Sequence, residues 1–324
     1  MKTFSTYDEQ IELLKSQGLV IKNEEIFLSK LKDIGFYNLI NGYAKIFKNQ
    51  DNKYKNNVSE DDILALYKFD KDLRNVVYKY TLIFESKIKS HISYVFSKYH
   101  GENQKVYLNQ SCFDSDIKKQ DNVEKLINNL NEIIGISSNV NDNRYRNYIG
   151  HYVNNHGHIP LWVLVRTITL GQMSKFYHCM KINEKDEVAN EFNLTSAQLE
   201  NMFRIIVEFR NVVAHDERLF CKRLNRNRLT FNLSVFNALQ IKRNPEGVPK
   251  SGVADFLSLM ITFKYVLKDF EFAGFWQEFM IEREILIKNI KSNFISNINN
   301  EMGLKNRWKN LEKFNPNKFF YYND

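Results

Sequence analysis

SEDDILALYKFDKDLRNVVYKYTLIFESKIKSHISYVFSKYHG, residues 59–101, is the longest periodic run in the chain. Ile63, Leu66, Tyr67, Leu73, Val77, Tyr80, Phe84, Ile88, Ile92 and Val95 recur at helical spacing. Ser59-x-x-Asp62 has the form of a capping box at one end, and Gly101 can stop a helix at the other. About forty residues is long for one globular helix, so a break or bend is expected near Phe69-Asp70. The run then serves as the central strut of an all-α bundle.

The same pattern extends outward on both sides. Upstream, Thr6-x-x-Glu9 opens a helix through Ile11 and Leu14 to Gly18, and Asn23 precedes a second that carries Phe27, Leu31 and Ile34 to Gly35. GFYNLINGYAKIF, 35–47, reads as a packed turn with a short helix rather than as an aromatic ligand box. The polar loop 48–57 is the natural boundary between an N-terminal helical subdomain, 1–58, and a helical domain, 59–324, packed together as one unit. Downstream, a short helix runs through Leu126, Leu130 and Ile134, and 136–147 is a polar loop. Pro160 then starts a helix expected to bury Trp162, Val165, Ile168, Met173 and Phe176. Thr195-x-x-Gln198 caps another, with Leu199, Met202, Phe203, Ile206 and Val213 inward. NPEGVPKSG, 244–252, is a turn, and 253–295 is helical again before Trp308 and an aromatic cluster, Phe319 to Tyr322.

With only 4 Pro and 12 Gly in 324 residues, composition agrees with an all-α fold. The first residues, MKTFSTYDEQ, have no signal-peptide pattern, and no apolar run reaches the roughly eighteen residues of a membrane span, so a cytoplasmic protein is expected. Cys112, Cys179 and Cys221 are too few and too scattered for a disulfide framework or a Cys-based zinc site. Net charge is +8, and residues 201–250 hold ten Lys and Arg against four Asp and Glu. That local excess points to a polyanionic partner, although compositional bias toward Asn, Lys and Ile accounts for part of it.

The basic region contains RIIVEFRNVVAHDER, 204–218, whose short form is Arg210-Asn211-x-x-x-His215. An Arg-x(4–6)-His spacing arises about once by chance in such a chain, so its setting on an amphipathic helix must carry any claim. Arg146-Asn147-x-x-x-His151 has the same spacing without a preceding amphipathic helix and reads as coincidence. His151, His156 and His158 have no Cys, Asp or Glu among them and read as ordinary loop histidines; no metal is expected.

Arg, Asn and His at a helix end are the parts needed for metal-free RNA cleavage. The ribose 2′-hydroxyl is the nucleophile, His215 moves a proton, and Arg210 neutralises charge on the phosphorane. Asn211 and His215 share a helix face, where the amide can orient the imidazole. Arg210 lies five residues from His215, roughly 140° around an ideal helix. The helix end and a second protomer are therefore expected to complete the site, in a homodimer with a composite active site. The structural alternative is a His that caps its own helix and an Arg paired with Glu208 or Asp216.

The chain resembles the bacterial abortive-infection Abi family, in its AbiD/AbiF branch, whose members belong to the HEPN superfamily. The resemblance is carried by QIELLKSQGLVI, GFYNLINGYAKIF, LYKFDKDLR at 66–74, HIPLWVLVRTITLGQMSKFY, FRNVVAHDERL and MGLKNRW, in the family's order. It implies a HEPN-like helical bundle with N-terminal and C-terminal helical extensions and an Arg-x(4–6)-His ribonuclease motif, used in dimers without metal or other cofactor. Carried over, the motif falls on Arg210 and His215, with Asn211 in the polar position after the Arg and Arg218 in the basic position after the His. Glu85 matches a position that is often acidic, while Arg166 stands where a Glu or polar residue is more usual. The resemblance further implies phage defence or toxin-like RNA cleavage, in some relatives restrained by a small noncoding RNA. Arg218, Lys222, Arg223, Arg226 and Arg228 are the expected RNA-binding residues. The expectation is thus a metal-independent endoribonuclease; the alternative is a catalytically silent RNA-binding protein.

Overall fold

The computed structural model describes residues 4–231, 233–305 and 307–316, and every regular element within them is helical. In chain order the α-helices are α1 (Tyr7–Ser16), α2 (Glu24–Ile34), α3 (Glu60–His100), α4 (Gln104–Tyr107), α5 (Gln120–Ser138), α6 (Asn147–His156) and α7 (Leu161–Leu164). They continue as α8 (Leu170–Cys179), α9 (Ile182–Asn190), α10 (Ser196–Ala214), α11 (Val235–Ala238), α12 (Phe256–Val266), α13 (Asp269–Asn289) and α14 (Ser292–Met302). No described helix is long and apolar enough to cross a membrane.

The break expected near Phe69-Asp70 does not occur. Helix α3 is continuous over 41 residues, about 60 Å at 1.5 Å per residue. Length alone argued for interruption, but α13 packs along the helix and α7, α9 and α10 cover other parts of it. Its first turn is fixed by Asp62, which accepts from the Ser59 N–H at 3.0 Å and from Lys291 Nζ at 2.9 Å.

The N-terminal segment is pinned to the same turn, because Glu60 accepts from the backbone N–H groups of Lys22 and Asn23. Residues 35–47 form a π turn (Tyr37–Asn41) and a 3-10 turn (Ala44–Phe47) that bury Leu39, Ile40, Tyr43 and Phe47. One continuous apolar core extends from Ile11 to Phe314.

Between α5 and α8 the structure departs from expectation. Residues 147–156 are helical, so His151 and His156 lie on α6 rather than in a loop. The helix after Pro160 stops after one turn, and a capping box of Thr169 and Gln172 starts α8 afresh. Leu161, Val163 and Leu164 take the buried side of that short turn, which leaves Trp162 49% exposed rather than in the core. Val165, Ile168, Met173 and Phe176 are buried as expected. The helical stretch 253–295 falls within three helices, α12 to α14, and the aromatic cluster Phe319 to Tyr322 lies outside the described residues.

Candidate functional site

Helix α10 carries the Arg210-to-His215 motif, and its local sequence explains both its ends. Thr195 and Gln198 cap each other's backbone N–H groups at 3.0 and 3.2 Å. Leu199, Met202, Phe203, Ile206, Phe209 and Val212 then bury one face against α3, α8, α9 and α12. The helix ends at Ala214, and His215 is its C-cap with φ −98° and ψ 13°. Asp216 follows in the left-handed region at φ 54°. Its N–H donates to the Val213 carbonyl, and the Glu217 N–H donates to the Val212 carbonyl at 3.0 Å, the bond pattern of a Schellman end with Asp where Gly is usual.

The chain after this stop is held by Asp70, a fully buried carboxylate on α3. It accepts from the backbone N–H groups of Leu219 at 3.2 Å and Phe220 at 2.6 Å. Tyr43 Oη donates to it at 2.8 Å and Arg74 Nη1 at 2.7 Å. Arg74 Nη2 reaches on to Asp216 at 2.7 Å, so one guanidinium joins α3 to the left-handed residue beside His215. Tyr43 stacks on Phe220 and meets Tyr67 edge-on. Burial, with the nearby Asp70 charge, pushes its phenol far above the ordinary range and keeps it a donor. Arg218 closes the arrangement by donating to the Gly42 carbonyl at 2.9 Å.

These groups border a cleft of about 760 Å3 between α3, the 33–43 segment and residues 215–223. His215 lines it with Tyr43, Tyr67 and Arg74. The imidazole is exposed and makes no hydrogen bond among the described residues. Lys222 is paired with Glu217 at 3.0 Å, Arg218 contacts only carbonyls, and Asp33 also lines the cleft. Cys221 also lines the cleft, but burial pushes its thiol up and away from thiolate chemistry.

The residues expected to act together divide between two places. His215, Arg218, Lys222 and Arg223 share this cleft, while Arg210 and Asn211 line another, of about 880 Å3, between α5, α8 and α10. No hydrogen bond joins the Asn211 amide to the His215 ring; their link is the His215 N–H donating to the Asn211 carbonyl at 3.0 Å. The capping turn directs the imidazole to the α3 side instead. Arg210 Nε is buried without a hydrogen-bond partner among the described residues. Arg226 and Arg228 line neither cleft, and Glu85, paired with Lys89 at 2.7 Å, lies away from both. Arg146 stands at the N-cap position of α6 and His151 contacts Asn155 on that helix, and neither lines a motif cleft.

Asp70, Arg74, Tyr43 and Asp216 were not read from the sequence as one network: Asp70 marked only an expected bend, and Asp216, weighed as a partner for Arg210, pairs with Arg74 instead. The signal was present for the first two: Asp70 and Arg74 stand four apart among Leu66, Leu73 and Val77, on the apolar face of α3. A charged pair on a buried face asks for partners from elsewhere in the fold. No significant match is found among curated proteins or solved structures. The family model for Abi-like proteins matches residues 29–221, which takes in the Asp70 network and the whole Arg210-to-Arg218 motif. The match covers more than half of the 324 residues, and the chain belongs to the Abi-like protein family.

Proposed function

We propose that this protein is an abortive-infection ribonuclease of the HEPN superfamily, in the AbiD/AbiF branch, that cleaves RNA in the cytoplasm without a metal. The observation that carries this reading is the free His215 imidazole, set beside Arg218 in a cleft whose backbone is anchored by Asp70. In the reaction, a 2′-hydroxyl loses its proton to an imidazole and its oxygen attacks the adjacent phosphorus. The 5′-oxygen leaves with a proton, yielding a 2′,3′-cyclic phosphate and a 5′-hydroxyl end. Arg210 stabilises the phosphorane charge. Because Arg210 and His215 line different clefts of one chain, the reading requires a two-fold dimer that brings Arg210 of one protomer to His215 of the other. The same cationic walls suit a regulatory noncoding RNA.

That separation of Arg210 from His215 also favours a second reading, an RNA-binding protein without catalysis. Incubation with RNA in EDTA, followed by analysis of the ends, separates the two. Cyclic phosphate ends that disappear in His215→Ala are expected for the enzyme. Tight RNA binding with no cleavage would leave the binding protein.

A further inference from the structure

The cleft that holds Arg210 has its own character. Helices α5, α8 and α10 form its walls, and its sixteen lining residues include four cations, Lys125, Lys175, Arg204 and Arg210, and no carboxylate. Five side-chain amides accompany them. Lys175 is exposed and has no ion-pair partner among the described residues, and Lys125 is tied only to the solvent-exposed Asp121. Arg210 Nε adds a buried donor with no hydrogen-bond partner among the described residues.

Two acids stand behind this lining: Glu208 accepts from the Asn227 amide at 2.9 Å, and Glu200 is already neutralised. Glu200 accepts from His178 Nδ1 at 2.8 Å and from Lys185 and Arg204. Burial raises its pKa, but these hydrogen bonds and the Lys185 and Arg204 charges bring it down to about 2. An ionised carboxylate only accepts, so His178 Nδ1–H donates to Glu200, with Arg204 Nη2 also 3.2 Å from that nitrogen, and Nε2 makes no hydrogen bond among the described residues. Gln172 is bonded to Asn129 and Asn227 to Glu208, so the cleft combines cations for phosphates with the Asn122 and Asn211 amides and an imidazole able to reach bases or ribose hydroxyls.

We propose that the cleft between α5, α8 and α10 binds the ribose-phosphate backbone of single-stranded RNA and leads it past Arg210; this rests on the ribonuclease reading of the motif. Open polar grooves with unpaired cations bind such strands by tracking phosphates, and Lys125 of α5 and Lys175 of α8 supply two such contacts from neighbouring helices.

The test is fluorescence anisotropy with a labelled 2′-O-methyl RNA oligonucleotide, which resists cleavage, titrated with the full-length chain and with a Lys125→Ala/Lys175→Ala variant. Loss of two phosphate contacts lowers the slope of log affinity against log salt by about 1.4 and weakens binding about tenfold or more at low salt. A substrate strand and a resident regulatory RNA share this chemistry. A raised KM with unchanged kcat for cleavable RNA identifies the substrate, and loss of copurifying RNA with unchanged KM identifies the resident strand. If the native chain binds RNA and the double variant matches it in affinity and slope, the cleft assignment fails while the ribonuclease reading stands. If the native chain neither binds nor cleaves RNA, that reading fails as well. Displacement by polyglutamate as effective as displacement by RNA would indicate an acidic protein partner and overturn the assignment.

Discussion

Asp70 gathers groups that stand up to 150 residues from it in the chain. Its carboxylate is inaccessible, and so are most of the atoms that face it, so each donor depends on it for satisfaction. Asp70→Ala leaves two backbone N–H groups unpaired and takes the buried carboxylate from the Arg74 guanidinium, which keeps only its outer partner Asp216, a loss of about 3–5 kcal/mol for a broken buried ion pair. Urea unfolding should register that loss, and stability equal to the native chain would refute the network. Glu200 offers a second residue-level outcome. Its pKa of about 2 lies below the ordinary 4.5, so its stabilisation is complete above pH 4.5 and is lost as pH falls toward 2. With its side chain only 15% exposed, the group contributes about 3 kcal/mol near neutrality. Unfolding measured across that window should steepen toward acid in the native chain and less so in Glu200→Gln; identical pH profiles would contradict the assignment.

At the level of elements, the end of α10 matters more than its length. A strict helix through residue 215 would keep the imidazole on the Asn211 face, and the left-handed Asp216 prevents that continuation. Asp tolerates this backbone better than most residues, and its carboxylate is held there by Arg74. Asp216→Val places a β-branched side chain in the left-handed region at a cost of about 1–2 kcal/mol, whereas Asp216→Gly fits the backbone. Cleavage should fall with the valine and persist with the glycine, and loss of cleavage in both variants would show that the Asp216 charge rather than the turn matters. Helix starts were legible where a side chain caps its own backbone at Thr6, Asn23, Ser59 and Thr195, but the same kind of box at Thr169 and Gln172 was passed over inside an apolar run. Apolar spacing placed the cores of α3 and α10 for the same reason: periodicity reports burial along a single element. The continuity of α3, the exposure of Trp162 and the partners of Asp70 depend on what packs from distant segments, and no local pattern encodes them. The motif was readable as spacing, but not the cleft that each of its side chains enters.

At the scale of the whole molecule, the division of the motif has a definite consequence. In one chain Arg210 looks into the α5, α8 and α10 cleft while His215 looks into the one beside α3. Five residues of helix put them about 7.5 Å apart along the axis and about 140° apart around it. A two-fold assembly resolves this by letting each chain lend one group to the other, and such an assembly makes two equivalent sites. Chains with Arg210→Ala and His215→Ala, each inactive alone, can be co-expressed with different tags and the mixed dimer isolated through both. In that dimer one site receives both substitutions and the other receives neither, so about half of the native activity per dimer should return. A site contained within one chain predicts the opposite, because every chain in the mixed dimer then lacks one of its two groups and cleavage stays at the level of the single variants.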